Sequence, residues 1–248
     1  MKRLLIDLET APILAHTWGI WQQNVGINQI IKPGYILCYA AKWYGKRQVL
    51  FDSVWDAEEN GTSFLGPLWD LLNEADAVIH YNGKRFDIPK INSEFWLDDL
   101  TPPSPFKQID LLKVVKKNFG FPSNKLAYIL DVKGLEGKLA NEGHGMWRKV
   151  IDGDPKARAA MKRYNKRDVT GMEPLYDSLI PWISDHPNMN LYGSPDGCPN
   201  CGNSEHLRKE GIAKLIEGSY QRWKCQGCGA WSRGKKRIDT TALTQVKL

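Results

Sequence analysis

No stretch of the sequence approaches the roughly 20 consecutive apolar residues that a membrane-spanning helix needs. The first ten residues, MKRLLIDLET, open with two basic residues and a short apolar run, but Asp7 and Glu9 interrupt it too early for a secretory leader. A membrane partner is therefore not expected, and the chain reads as cytoplasmic. The sequence also lacks internal repeats and long low-complexity segments. Cysteine is sparse, with five in 248 residues, and four of those five fall into two close pairs. With 42% hydrophobic and 25% charged residues, the composition is that of a globular chain with a real core rather than a disordered one.

Acidic charge is scarce at one end. Residues 189 to 248 hold ten Lys or Arg against five acids, so that nearly all of the net charge of +6 lies there. A near-neutral body with a basic end suits contact with a polyanion, since cations that neutralise phosphates release counterions. Basic residues that merely solubilise a small domain would look the same.

Strand signals lie at Leu4 to Leu8, Ile36 to Tyr44 and Gln48 to Ser53, and their succession suggests an antiparallel meander. Helical spacing over Phe64 to Leu72 is followed by a short apolar strand, Ala77 to Tyr81, and then by a helix over Ile88 to Trp96. The segment TPPSP at 101 to 105 breaks structure, Phe106 to Ile109 fits a last strand, and Leu111 to Asn118 a helix. The longest expected helix runs from Pro155 to about Ile183, with a kink near Gly171 or Pro174. Strands clustered first and then alternating with helices imply an α/β fold, a mixed sheet flanked by helices. After Ile183 the sequence turns rich in Pro, Gly, Asn and Asp, which marks a boundary.

Asp7 and Glu9 are two apart on the first strand, so their side chains share a face. Two acids on a strand otherwise made of Leu and Ile are costly to bury without a compensating cation, and a divalent metal is the natural partner. A strand that surfaces with its acids solvated is the plainer alternative. Asp87 follows the AVIHY strand and begins a helix, where an Asp can simply cap. Tyr164 and Asp168 are four apart on the long helix and share a face.

In order and context these residues resemble the DnaQ-like 3'-to-5' exonucleases of the RNase H-like superfamily. The motifs are DxE at Asp7 and Glu9, NxxxFD from Asn82 through Phe86 to Asp87, and YxxxD at Tyr164 and Asp168. In the sister subgroup a His stands five residues before the last Asp, where this chain has Arg163, so the resemblance is to the tyrosine variant, DEDDy. It covers roughly residues 1 to 180. It implies an RNase H-like mixed sheet and a site that holds two Mg2+ or Mn2+ ions about 3.5–4 Å apart. It further implies that Asp7 bridges both ions, that Glu9 and Asp168 help to hold the nucleophile-side ion, and that Asp87 supports the other. Tyr164 would orient the attacking water and assist its deprotonation. Leu8 and Thr10 resemble positions that touch the 3'-terminal nucleotide in relatives, though a strand Leu is usually core, while Asn82 and Phe86 either contact the substrate or only shape the turn. His80 reads as a core residue, His144 as a loop residue, and Asp110 as the end of a strand near the site.

The paired cysteines are CPNC, Cys198 and Cys201, and CQGC, Cys225 and Cys228, each pair followed by Gly. Two such knuckles make a tetrahedral thiolate site for one structural Zn2+, a small C-terminal zinc ribbon; disulfides are the competing reading. Cys38 reads as a buried thiol. So small a domain has too little apolar core to fold without the metal. Trp223, Trp231, Arg233, Lys235, Lys236 and Arg237 flank the second knuckle, and interleaved aromatics and cations suit stacking and phosphate contact with a single strand. Tryptophans that only fill the ribbon's core would be the bland alternative.

The expected organisation is an exonuclease domain over 1–183, a linker over 184–194, a zinc ribbon over 195–238 and a tail over 239–248. Chains combining the two modules resemble bacteriophage exonucleases, which implies a phage source and the host cytoplasm. The expected activity is stepwise removal of nucleotides from the 3' end of single-stranded DNA. An exoribonuclease with the same site stays open, as does a non-catalytic nucleic-acid-binding zinc protein, whereas a transposase or resolvase lacks the DxE and YxxxD pairs. The sequence identifies no replication or repair partner.

Overall fold

The computed structural model describes residues 1–136, 143–216 and 218–242. The chain divides into two compact units, Lys2–Leu175 and Tyr176–Leu248.

The first unit is built on a five-stranded mixed sheet. Its central strand, β1 (Arg3–Thr10), comes first in the chain. A small antiparallel pair follows, β2 (Leu14–Ala15) with β3 (Ile30–Lys32). The sheet continues with β4 (Ile36–Trp43) and β5 (Leu50–Ser53), then β6 (Ala77–His80) and β7 (Lys107–Asp110). The spatial order is β5-β4-β1-β6-β7. The strands β1, β4 and β5 form the expected antiparallel meander, while β6 and β7 join in parallel. The connection between the first two strands of that meander is long, residues 11–35, and carries the β2-β3 pair.

The strands at the centre of the sheet are largely buried on both faces because both faces are covered, as expected of a sheet with parallel crossovers. Leu4, Ile6 and Leu8 of β1 face one core. There they meet Leu68 and Leu72 of α2 (Leu65–Glu74) and Ile88, Ile91 and Phe95 of α3 (Asp87–Leu97). Preceding these is α1 (Val54–Asn60), capped by the Ser53 hydroxyl, which accepts the Asp56 amide at 3.1 Å. On the opposite face Leu37 and Cys38 meet Trp55 of α1 together with helices from later in the chain. Strand β7 leads into α4 (Leu111–Asn118), and α5 (Leu126–Lys133) follows.

The later helices covering that second face are α6 (His144–Ile151) and α7 (Pro155–Leu179). Met146 and Val150 of α6 pack with Ala157 and Met161 of α7. His144 is thus the first residue of a helix rather than a loop residue; the flanking Gly143 and Gly145, poor helix formers, hide the pattern in the sequence. Asp154 starts α7 by accepting the Lys156 and Ala157 amides at 2.8 and 3.0 Å. Ala157, Met161, Asn165, Val169 and Met172 form its buried stripe. A buried ion pair between Lys42 of β4 and Glu173 of α7 fixes the helix against the sheet, and Glu173 also accepts the Gly45 amide at 2.6 Å. The helix runs through Gly171 and Pro174 to Leu179, and Ile180–Trp182 then forms a 3-10 turn around Pro181.

The second unit contains an antiparallel sheet of β8 (Leu207–Leu215), β9 (Gly218–Cys225) and β10 (Trp231–Asp239), with β9 central. Its two CxxC knuckles are built alike. In the first, the Gly202 amide donates to the Cys198 carbonyl at 2.8 Å and the Cys198 amide to Asn203 at 2.8 Å. In the second, Gly229 donates to Cys225 at 2.8 Å and Cys225 to Ala230 at 2.9 Å. Gly202 and Gly229 take φ of +82° and +81°, the left-handed conformation that glycine adopts without a Cβ penalty. Within the segment read as a linker, Met189 donates to the Pro199 carbonyl at 2.8 Å and Asn190 to Gly197 at 2.9 Å. No helix among the described residues is long and apolar enough to cross a membrane.

Candidate active site and metal centres

Strand register sets the site. Asp7 and Glu9 lie opposite Ala40 and Cys38 of β4, on the face covered by α7. Directly after Glu9 the register slips, so that Leu37 has no partner and Thr10 pairs with Ile36. Such a bulge bends the strand and re-aims its side chains. From α7 the Asp168 carboxylate joins the pair, and ligand oxygens of Asp7, Glu9 and Asp168 all lie within 4.8 Å of one another.

Each acid is held by a neighbour. The Asn165 amide, fully buried one turn before Asp168, donates to the Asp7 carboxylate at 2.8 Å and to the Asp7 carbonyl at 3.1 Å. The Trp147 indole of α6 donates to Glu9. Tyr164 sits one turn before Asp168 and acts on its carboxylate, and the Trp147 ring stands edge-on to the Tyr164 ring at 6.1 Å. Cys38, a buried thiol opposite Glu9, has its sulfur 4.0 Å from the Asn165 side-chain oxygen Oδ1. Asn165 and Trp147 escape sequence reading. Asn165 carries a weak signal, a polar residue on the apolar stripe of α7; Trp147 carries none.

Asp87 stands behind this trio. The ladder between β1 and β6 covers only Arg3–Leu5, so the Leu8 amide faces an open edge. Asp87 takes that amide at 3.0 Å. It does not cap α3, whose N-cap Phe86 has no side-chain bond. The turn before it is tight: Asn82 has φ +70°, and its carbonyl accepts both Arg85 and Phe86 at 3.1 Å. Gly83 packs on the buried His80 ring so closely that a Cβ would lie 2.4 Å from the imidazole Cγ. Asp110 ends β7 and caps α4, its Oδ1 accepting the Leu112 amide at 3.1 Å and the Asn82 amide at 3.0 Å.

The electrostatics are those of acids crowded without counter-charge. Burial raises Asp7 well above the ordinary carboxylate range, helped by the charges of Asp87, Glu9 and Asp168 and opposed by the Asn165 bond. Burial, then Asp168 and Asp87, pushes Glu9 up to about 8. Asp87 rises to about 7 and Asp168 to about 6, burial being the leading cause for both. Burial also raises the Tyr164 hydroxyl, reinforced by Asp168, so it stays an O–H donor. An all-oxygen donor set of this kind fits a hard divalent cation such as Mg2+ or Mn2+.

The residues read as strand contacts fall in different places. Leu8 is buried in the core on the face away from Asp7 and Glu9. Thr10 and Asn82 are half-buried, and Phe86 is exposed at the start of α3. On the second unit Trp231, Arg233, Lys235, Lys236 and Arg237 are exposed and Trp223 is half-buried. The small core around the knuckles consists of Cys198, Cys225 and Ala230, packed against by Leu207, Cys201 and Cys228, and contains neither tryptophan. Cations cover the rings instead: Arg222 and Lys224 lie 4.7 and 5.2 Å from the Trp231 centroid, and Lys209 lies 5.5 Å from that of Trp223.

The sulfurs of Cys198, Cys201, Cys225 and Cys228 lie within 4.8 Å of one another. Cys198 and Cys228, and likewise Cys201 and Cys225, are 3.7 Å apart, too far for a disulfide. A tetrahedron with Zn–S of about 2.3 Å has edges of about 3.8 Å, so the spacing fits zinc. Burial pushes the Cys201 thiol up to about 11 and Cys228 upward as well. For Cys225 the upward effect of burial is outweighed by amide hydrogen bonds from Cys228 and Gly227, and its thiol is lowered.

Comparison with known proteins supplies the family. No curated protein matches the chain. Among solved structures, the family B DNA polymerase from the hyperthermophilic archaeon Pyrobaculum calidifontis superposes with a TM-score of 0.51 at 13% identity. The match covers 90% of this chain and 33% of the polymerase, so the chain spans about a third of that protein's length; it is a likeness of fold. A family model described as RNase H superfamily matches residues 32–180, a span that includes Asp87, Tyr164 and Asp168. Since that span exceeds half of the sequence, the chain belongs to the RNase H superfamily.

Proposed function

We propose that the chain is a metal-dependent 3'-to-5' exonuclease of the DEDDy type, acting on single-stranded DNA. The observation that carries this reading is the cluster of Asp7, Glu9 and Asp168, within 4.8 Å of one another on an RNase H sheet, with Tyr164 one helical turn before Asp168. Bound divalent cations would supply positive charge to the scissile phosphate and acidify the attacking water.

The chain's own residues supply the positioning. Asp7, Glu9 and Asp168 would hold the cations, with Asp87 completing the negative field from behind. Asn165 fixes the rotamer of Asp7, and Trp147 that of Glu9. Because its hydroxyl remains protonated, Tyr164 would orient the attacking water rather than accept its proton. Phe86, Asn82 and Thr10, at the same end of the sheet as the acids, are proposed to receive the terminal nucleotide.

The second unit is read as a ribbon closed by one Zn2+ on Cys198, Cys201, Cys225 and Cys228. Its cation-covered tryptophans, with Arg233, Lys235, Lys236 and Arg237, would hold the strand by stacking and phosphate contact. The choice of DNA leans on the fold likeness to a DNA polymerase.

The test is incubation of the purified protein with end-labelled single-stranded DNA and RNA, in Mg2+, Mn2+ or EDTA, beside Asp7→Asn. Stepwise shortening from the 3' end that EDTA and the variant abolish is the expected result. Preferential shortening of RNA would reassign the substrate, and binding without cleavage in any metal would replace the enzyme with a binding protein.

A further inference from the structure

The segment between β1 and β4 leaves the sheet as a closed arm. The Ala11 amide donates to the Tyr35 carbonyl at 2.8 Å at its root, β2 pairs with β3 above, and His16 and Gln29 exchange bonds of 3.0 and 2.9 Å beyond. Past His16 the chain turns through residues 17–26, and here the surface is unusually apolar. Trp18 is 99% exposed, Trp21 82% and Ile27 89%. Large rings held out to water on a hydrogen-bonded arm mark a contact surface.

Two observations select the occupant. The root of the arm belongs to the candidate active site: Ala11 and Tyr35 pack in the same cluster as Trp147 and Tyr164, and Ala11 is two residues from Glu9. The charge is one-sided as well. From Thr10 to Tyr35 the sequence contains no Asp or Glu, while Lys32 lies there. Lys32, on β3, holds its ammonium 4.6 Å from the Tyr35 ring. An arm that carries a lysine, no acid of its own and two projecting indoles suits a polyanion whose flat bases are unstacked.

We propose that the arm is a binding site for single-stranded nucleic acid, with Trp18 and Trp21 stacking on bases of the strand whose end enters the carboxylate cluster and Lys32 meeting its phosphates. This rests on the nuclease reading for the direction of the strand, but the arm's contact with nucleic acid can be measured without turnover. Ala11 to Trp21 spans at most about 36 Å of contour, a reach that would let the indoles contact nucleotides upstream of the cleaved bond.

The experiment compares the full-length wild type with Trp18→Ala/Trp21→Ala and Trp18→Phe/Trp21→Phe. Affinity for fluorescent oligo-dT and oligo-U is read in EDTA, and hydrolysis of the p-nitrophenyl ester of thymidine monophosphate, too small to reach the arm, is read in Mn2+. Both residues are exposed, so the fold should tolerate the changes. The alanine pair should weaken oligonucleotide binding at least tenfold, from the stacking of two bases. It should leave ester hydrolysis within about twofold, as expected of a surface change away from the reacting atoms. The phenylalanine pair should recover most of the affinity. Unchanged oligonucleotide affinity in the alanine pair overturns the proposal. The same result accompanied by loss of a concentration-dependent dimer would assign the arm to a second copy of the chain. If the wild type hydrolyses neither ester nor oligonucleotide, the nuclease reading fails, and the binding comparison still decides the arm.

Discussion

Asn165 donates from one side-chain amide to both the carboxylate and the carbonyl of Asp7, at 2.8 and 3.1 Å, and so ties the long helix to the strand that carries two of the acids. Replacing it by Ala should free the Asp7 rotamer. Groups that orient metal ligands typically matter by 10–100-fold, so Asn165→Ala should weaken Mn2+ affinity or turnover by about that factor. Calorimetric Mn2+ titration beside steady-state kinetics checks it; unchanged values of both would reduce Asn165 to a packing residue.

The acids themselves oppose folding. Asp7 is raised first by burial and then by three neighbouring carboxylates, so its charge is unfavourable in the metal-free fold. Asp7→Asn should abolish cleavage yet raise the melting temperature in EDTA, a trade of stability against function. Differential scanning calorimetry of both proteins in EDTA decides the point, and a lower melting temperature for the variant would contradict it.

The pH dependence follows with a definite sign. In the fold Glu9, Asp87 and Asp168 titrate near 8, 7 and 6, above the values near 4 of an unfolded chain. Through that window the folded state binds more protons than the unfolded one, so metal-free stability falls as pH rises from about 4 to about 8. Cations compete with those protons, so the stabilisation by Mg2+ or Mn2+ should grow over the same range. Thermal melts from pH 5 to 9 with metal and with EDTA would show the two curves diverging upward; parallel curves would exclude these acids as the ligands.

Zinc should be stoichiometric and structural. Cys225→Ser is expected to lower bound zinc from one per chain to near zero and to remove amide-exchange protection from β8, β9 and β10. Protection that survives the loss of metal would show a sheet that folds without it.

Gly83 is a steric requirement. A methyl group there meets the fully buried His80 ring at 2.4 Å, with the Asp87 turn on its other side. Gly83→Ala should cost about 1–3 kcal/mol in urea unfolding, the usual range for overpacking. It should also weaken metal binding through displacement of Asp87.

Local pattern carried much of this protein. The alternation in β1, the apolar run of β6, the 3.6-residue stripe of α7 and the two CxxCG knuckles are all dictated by neighbours in sequence, and the mixed sheet flanked by helices follows from their order. Helix α6 was hidden because its two glycines mask a packing face that exists only against Met161 and Ala157. The arm between β1 and β4 carries no legible strand signal because β2 and β3 have only two and three residues.

Spacing along the chain was enough to mark Asp7 with Glu9, Asp87 at a helix start, Tyr164 with Asp168, and the paired cysteines. Tertiary structure alone decided how they meet. It brought Asp168 within 4.8 Å of Asp7 and Glu9, left Asp87 behind them on the Leu8 amide, and turned the Leu8 side chain into the opposite core. It also supplied Asn165 and Trp147. The physical reason is that spacing along a strand or helix fixes only the face a side chain occupies. Which faces come together, and which buried charges therefore share one field, depends on contacts spanning up to 158 positions of the chain.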